Sequence, residues 1–182
     1  MRIIAGEFKG RIIKIPKSKL VRPTTDKNKE AIFNYLNNYI DFIGITACDI
    51  YAGSGSLGLE TLSRSANEVH FVEQNYAIYK NLLDNIELLK VKERTKVFKM
   101  PAVKFSTINN KTKYDLILAD PPFFKDDIYK VFENIKKNEL LNDEGILIIE
   151  RSIQTEKEDV KNFNMEPIKR LGDSLIYQYL NS

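Results

Sequence analysis

From residue 45 onward the chain repeats one pattern, a short apolar run rich in Ile, Val and Leu followed by a longer stretch of helical periodicity. The runs are ITACDIY (45–51), EVHFVE (68–73), TKVFK (95–99), YDLILAD (114–120) and GILIIE (145–150). Helices are predicted over 56–65, over 76–90 with Tyr79, Leu82, Leu83, Ile86 and Leu89 on one face, and over about 127–141. Apolar strands alternating with amphipathic helices imply an α/β fold, a mostly parallel sheet covered on both sides. After a short helix near 155–162, NMEPIKR and LIYQYL flank Gly172-Asp173, the pattern of a β-hairpin closing the sheet. Ahead of the repeat, RIIAGEFKGRIIKIP predicts a hairpin of strands 2–5 and 11–15. Thr25 or Asp26 then caps a helix carrying Ile32, Phe33, Leu36 and Tyr39/Ile40. Residues 1–24 are read as a basic N-terminal extension and 25–182 as the main domain.

The first strand runs into DIYAGSGSLGLE, in which Gly53, Gly55 and Gly58 spell G-x-G-x-x-G. Such a loop turns tightly after a strand and leaves room for a ligand at the strand's C-terminal edge. Glu73 ends the next strand 20 residues past Gly53 and suits ribose hydroxyls of either a nicotinamide cofactor or S-adenosylmethionine. Two features favour the latter. Asp49 sits inside the strand, where a carboxylate repels a pyrophosphate but attracts an ammonium and a sulfonium. No second βαβαβ half follows to hold a nicotinamide mononucleotide.

A third feature is more specific. The fourth strand ends in Asp120-Pro121-Pro122-Phe123, a motif that marks methyl transfer to planar amide or exocyclic nitrogens. An aryl amine is a poor nucleophile because its lone pair is delocalised into the ring. Asp120 and the Pro121 carbonyl are candidates to accept its two N–H groups, the prolines stiffen the loop, and Phe123 offers a face for an extruded base.

Composition narrows the remaining chemistry. The chain of 182 residues suits one domain with a small appendage, and is 43% hydrophobic and 29% charged. The single cysteine, Cys48, excludes a disulfide framework and reads as a small buried hydrophobe. The single histidine, His70, reads as a satisfied strand residue, and no metal is expected. No apolar stretch is long enough to span a bilayer, so a cytoplasmic protein is expected. Net charge is +3, yet the first 22 residues hold seven basic side chains against Glu7 alone, a surplus of six that leaves the other 160 residues at −3. A polyanionic partner for this arm is expected, with Lys9, Arg11 and Lys14 contacting phosphates at the mouth of the site. Deleting residues 1–20 is expected to impair action on that polyanion and to spare cofactor binding.

Taken together, RIIAGEFKGRIIKIP, RPTTDKNKEAIFNYL, DIYAGSGSLGLETLSR, FVEQN, DLILADPPF and GILIIE resemble the bacterial 16S ribosomal RNA guanine-N2 methyltransferases of the small subunit, the RsmD family. The resemblance covers nearly all of residues 1–180. It implies a Rossmann-like class I S-adenosylmethionine-dependent methyltransferase fold and methyl transfer to the N2 amine of a guanine in 16S rRNA, within a small-subunit particle or precursor. By it, Asp49, Ala52, Gly53, Ser54 and Gly55 hold the methionine part of S-adenosylmethionine, and Glu73, with Gln74 beside it, the ribose. Asp120 to Phe123 receive the guanine, with Asp120 also bordering the cofactor. Arg22 borders the cofactor's amino-acid end or the RNA entrance. One departure stands out. Met100 and Pro101 occupy the place of an adenine-binding acid, so adenine recognition falls to backbone groups and apolar packing around Ala102. A monomer is expected. The rival readings are an adenine-N6 or other nucleic-acid amino-methyltransferase, a non-catalytic RNA-binding assembly factor and, remotely, a nicotinamide oxidoreductase.

Overall fold

The computed structural model describes residues 1–16, 26–108, 112–122 and 125–181. Seven strands form one sheet: β1 (Thr46–Ile50), β2 (Glu68–Val72), β3 (Thr95–Phe98), β4 (Tyr114–Ala119), β5 (Leu141–Ser152), β6 (Lys169–Leu171) and β7 (Ser174–Leu180). Their spatial order is β3-β2-β1-β4-β5-β7-β6. The first five are parallel, and β7 runs antiparallel to both β5 and β6. This is the mostly parallel sheet closed by a C-terminal hairpin that the sequence predicts. The chain winds outward from β1 in one direction and from β4 in the other, so their C-terminal ends form the switch point at which open α/β sheets place their ligand cleft.

Alternating strand residues feed two apolar layers. Ala47, Val69, Phe71, Leu116, Leu118, Ile146 and Ile148 pack under α1 (Asp26–Leu36), α2 (Ser56–Ser63) and α3 (Tyr76–Leu89). Cys48, Ile50, Val72, Ile117, Ala119, Leu147 and Ile149 face α4 (Ala102–Thr107), α5 (Asp127–Lys137) and α6 (Glu156–Phe163). On α3 the buried stripe is Ile78, Leu82, Asn85, Ile86 and Leu89, whereas Leu83 is exposed. Tyr79 and Leu83 form the neighbouring i, i+4 stripe, one residue further round the helix than Ile78 and Leu82. Helix α4 had no periodic signature because six residues span less than two turns. It is fixed by Asn134 of α5, whose Nδ2 donates to Ser106 Oγ at 3.0 Å.

Cys48 and His70 are both buried. Burial pushes the thiol well above its ordinary range and holds the imidazole below its own, with Nδ1 2.8 Å from the Tyr114 hydroxyl. Cys48 is the small buried residue expected, and His70 faces Glu68 with its other nitrogen, Nε2, at 3.2 Å.

The N-terminal hairpin pairs through a single bridge, Arg2 with Ile12, rather than through two strands. Its hold on the molecule comes from elsewhere. Ile3, Phe8 and Ile13 are buried in the same layer as α1 to α3. The fully buried Glu60 of α2 accepts the backbone N–H groups of Ile4 at 2.7 Å and Ala5 at 3.0 Å. Lys29 of α1, also fully buried, lies 3.7 Å from Glu60 and donates to the Arg2 carbonyl at 2.6 Å and to Ser56 Oγ at 3.3 Å. Deleting residues 1–20 would strip these partners from a buried ion pair, so such a truncation acts on the fold and not on an exposed arm alone.

Candidate active site

The cleft begins where β1 stops. Asp49 is 2% exposed and its Oδ2 accepts the Gly58 N–H at 2.8 Å. Burial, with the nearby Glu73 charge adding to it, raises its carboxyl to about 8 against the opposing hydrogen bond from Gly58. Asp49 thus has a structural task that the motif did not reveal, fixing the first turn of α2. Tyr51 then turns the chain at φ 66°, a strained conformation for an aromatic residue, and Gly53 (57°) and Gly55 (82°) continue in the left-handed region. A Cβ on Gly55 would lie 2.4 Å from a methyl of Leu82, and one on Gly58 only 2.3 Å from the Phe71 ring. Ala52 is fastened to β2 by donating to the Val72 carbonyl at 3.0 Å. Asn85 of α3 donates to the Ser54 carbonyl at 2.9 Å.

Glu73 meets this loop directly. Its Oε2 accepts the Gly53 N–H at 3.1 Å and its Oε1 accepts the Asn75 N–H at 2.7 Å. Burial pushes its carboxyl above the ordinary range, opposed by these bonds and by the charge of Lys125. Gln74 is exposed beside it, while Asn75 caps α3 by accepting from Ala77 and Ile78. On the adenine side expected from sequence, Met100 is half-buried, Pro101 exposed and Ala102 buried at the start of α4.

Ala119 pairs with Ile50 on one side and Ile149 on the other, so Asp120 leaves the sheet between the ends of β1 and β5. Asp120 is half-buried, Pro121 buried and Pro122 exposed. Phe123 and Arg22 lie outside the described residues. Beyond Phe123, the Lys125 N–H donates to the Pro122 carbonyl at 2.9 Å. Two groups that sequence reasoning missed hold the chain that follows. The Tyr51 hydroxyl donates to Asp127 Oδ1 at 3.0 Å, linking the end of β1 to the start of α5. Arg151, fully buried on β5, donates to the Lys125 carbonyl at 3.3 Å and to Asp159 Oδ1 at 2.9 Å. Asp159 also accepts from the hydroxyls of Tyr129 at 2.8 Å and Thr155 at 2.6 Å. The only hint in the sequence was a charged pair, Glu150-Arg151, at the end of an apolar strand.

Lys9, Arg11 and Lys14 are exposed but do not share one end of the molecule. Lys14 exchanges both backbone hydrogen bonds with Asn85, at 2.8 and 2.9 Å, and so stands next to the glycine loop. The hairpin turn docks at Ser63, the far end of α2, where Phe8 N–H donates to Ser63 Oγ at 2.9 Å. Seven residues of helix, about 10 Å, separate that end from the cleft. Lys14 therefore lies beside the residue that holds the glycine loop, and Lys9 lies toward the other end of α2.

No group of three or more His, Cys, Asp or Glu among the described residues is arranged to hold a metal ion. No helix among them is long and apolar enough to cross a membrane.

The family model described as conserved hypothetical protein 95 matches residues 1–180. Ribosomal RNA small subunit methyltransferase D of Escherichia coli is 32% identical over 154 residues, which span 85% of this chain and 76% of that protein. Its namesake from Haemophilus influenzae is 34% identical over 152 residues, 82% of this chain and 78% of the relative. Among solved structures, the Escherichia coli protein yhhF superposes with a TM-score of 0.82 at 28% identity, covering 100% of this chain and 97% of its own.

Proposed function

Because the chain belongs to the conserved hypothetical protein 95 family, the RsmD family, and carries the Rossmann-like class I methyltransferase fold, we propose that it methylates the exocyclic N2 of a guanine in 16S ribosomal RNA, with S-adenosylmethionine as donor. The observation that carries this reading is the placement of Asp120-Pro121-Pro122 at the switch point of the sheet, beside a glycine loop flanked by two buried carboxyl groups.

That donor set fits S-adenosylmethionine better than a dinucleotide. Asp49 and Glu73 put two carboxyl groups beside the loop, which repel a pyrophosphate and suit an ammonium, a sulfonium and a ribose diol. Asp49, Ala52, Gly53, Ser54 and Gly55 would hold the methionine end, Glu73 and Gln74 the ribose, and Ala102 the adenine side. When bound, S-adenosylmethionine supplies an electrophilic methyl group. The protein's own contribution is positioning and polarisation. Asp120 accepts one N–H of the guanine amine and the Pro121 carbonyl the other, turning the lone pair toward the methyl. The methylated amine becomes acidic and loses its proton late, so Asp120 need not be a strong base. Hydrogen bonds from Tyr51 to Asp127 and from Arg151 to the Lys125 carbonyl hold the chain that follows these acceptors.

Labelled S-adenosylmethionine offered with unmethylated 16S rRNA, small-subunit particles and DNA, followed by nucleoside mass spectrometry, tests the reading. N2-methylguanosine from rRNA or particle is expected. N6-methyladenosine would replace the substrate, and absence of S-adenosylmethionine binding would leave an RNA-binding assembly factor. Asp120→Ala is expected to lower turnover at least about tenfold. Near-normal turnover would remove Asp120 from the role.

A further inference from the structure

The rim of the cleft on its β2–β3 side carries a feature that methyl transfer itself does not use. Tyr76 opens α3 three residues after Glu73, and it is 54% exposed. The ammonium of Lys99, the residue after β3, lies 4.7 Å from the centroid of its ring, and that of Lys80, one turn along α3, lies 5.1 Å away. Both lysines are exposed, and neither has a carboxylate partner among the described residues. Lys96, on the strand that leads to Lys99, lies 2.7 Å from Glu68 instead. One ammonium on an aromatic ring is an ordinary cation–π contact. Two ammonium groups gathered at one ring concentrate positive charge there, and a bound anion is attracted to both.

We propose that Tyr76, Lys80 and Lys99 form a nucleotide platform for a single-stranded stretch of the RNA substrate beside the target base. A base stacks on the open part of the Tyr76 ring, and an adjoining phosphate lies between the two ammonium groups. This inference rests on the RNA methyltransferase reading above. An exposed ring flanked by unneutralised lysines matches single-stranded nucleic acid, where every base offers a π-face and every linkage a charge. The position agrees. β2 and β3 lie two and three strands from β4, about 10–15 Å from the strand that carries Asp120, so RNA held at Tyr76 crosses the mouth of the cleft.

The test compares wild type with Tyr76→Ala, Tyr76→Phe and the double variant Lys80→Ala/Lys99→Ala. Affinity for an unmethylated 16S rRNA transcript and for small-subunit particles is measured across a salt series. Methyl-transfer kcat and KM, and S-adenosylmethionine affinity by calorimetry, are measured alongside. Tyr76→Ala is expected to weaken RNA binding and raise KM by roughly five- to tenfold or more, with Tyr76→Phe near wild type. The double lysine variant lowers the slope of log affinity against log salt by about 1 to 2. Turnover at saturating RNA and S-adenosylmethionine affinity stay at wild-type values. Unchanged RNA affinity in Tyr76→Ala overturns the platform. So does a loss of S-adenosylmethionine affinity in step, which would assign the ring to the cofactor. Wild-type protein that binds RNA through these residues but yields no methylated nucleoside overturns the methyl-transfer reading and keeps the platform. Wild-type protein that binds no RNA removes both.

Discussion

Asp49 and Glu73 are held away from water at the edge of the sheet, and a pH dependence follows from the first of them. In the unfolded chain Asp49 gives up its proton near its ordinary value of 3.8, whereas in the folded protein it keeps the proton to about 8. The folded state therefore binds more protons between these values, and Asp49's contribution to stability declines as pH rises through that window. A cationic ligand reverses the preference, because it favours the ionised carboxyl. S-adenosylmethionine is expected to bind more tightly as pH rises toward 8, by at most about tenfold per unit, and to level off above it. Calorimetry across pH checks this. In Asp49→Asn the rise should vanish, affinity should fall, and thermal stability near pH 8 should lose less or even gain. A variant that keeps the wild-type profile would assign the titration to another group.

Elements are joined here by buried charges rather than by apolar contact alone. The hairpin is tied to α1 and α2 through Lys29 and Glu60, and its Lys14 is tied to α3 through Asn85, which also holds Ser54 of the glycine loop. Deleting residues 1–14 is expected to lower the melting temperature and abolish S-adenosylmethionine binding together. A truncated protein with intact melting and binding would show the hairpin to be dispensable. On the opposite face Arg151 joins β5 to α6 and to the chain after the Asp-Pro-Pro segment. Arg151→Leu leaves Asp159 buried without its guanidinium and is expected to cost about 3–5 kcal/mol in denaturant unfolding. The double variant Arg151→Met/Asp159→Leu should recover much of that stability, because no lone charge is left inside.

At the scale of the whole molecule, the positive charge is spread along a path rather than gathered at one point. Lys14 stands beside Asn85, which holds the glycine loop, and the hairpin turn carrying Lys9 sits at the far end of α2, about 10 Å of helix away. Lys14→Ala is expected to raise KM for RNA and reduce the salt slope by about 1, whereas Lys9→Ala should change the slope with a smaller effect on KM. Equal effects of both would mean that RNA follows the hairpin along its whole length.

Local pattern was enough for much of this protein. The strands of the sheet, the glycine loop, Asp49, Glu73 and the Asp120 segment were legible because strand alternation, helix periodicity and turn chemistry act over a few residues. The resemblance of these stretches to the RsmD family supplied their expected roles. What only the tertiary structure decided concerns partners far apart in the chain. Glu60 reaches Ile4 and Ala5 across more than 50 residues, and Asn28 reaches Glu150 across 122. Tyr51 finds Asp127 across 76 residues, and Lys99 reaches the ring of Tyr76 from the next strand. A buried charge or an uneasy pair of ammonium groups has to be answered by whatever the fold brings beside it, and no local spacing records which residue that is.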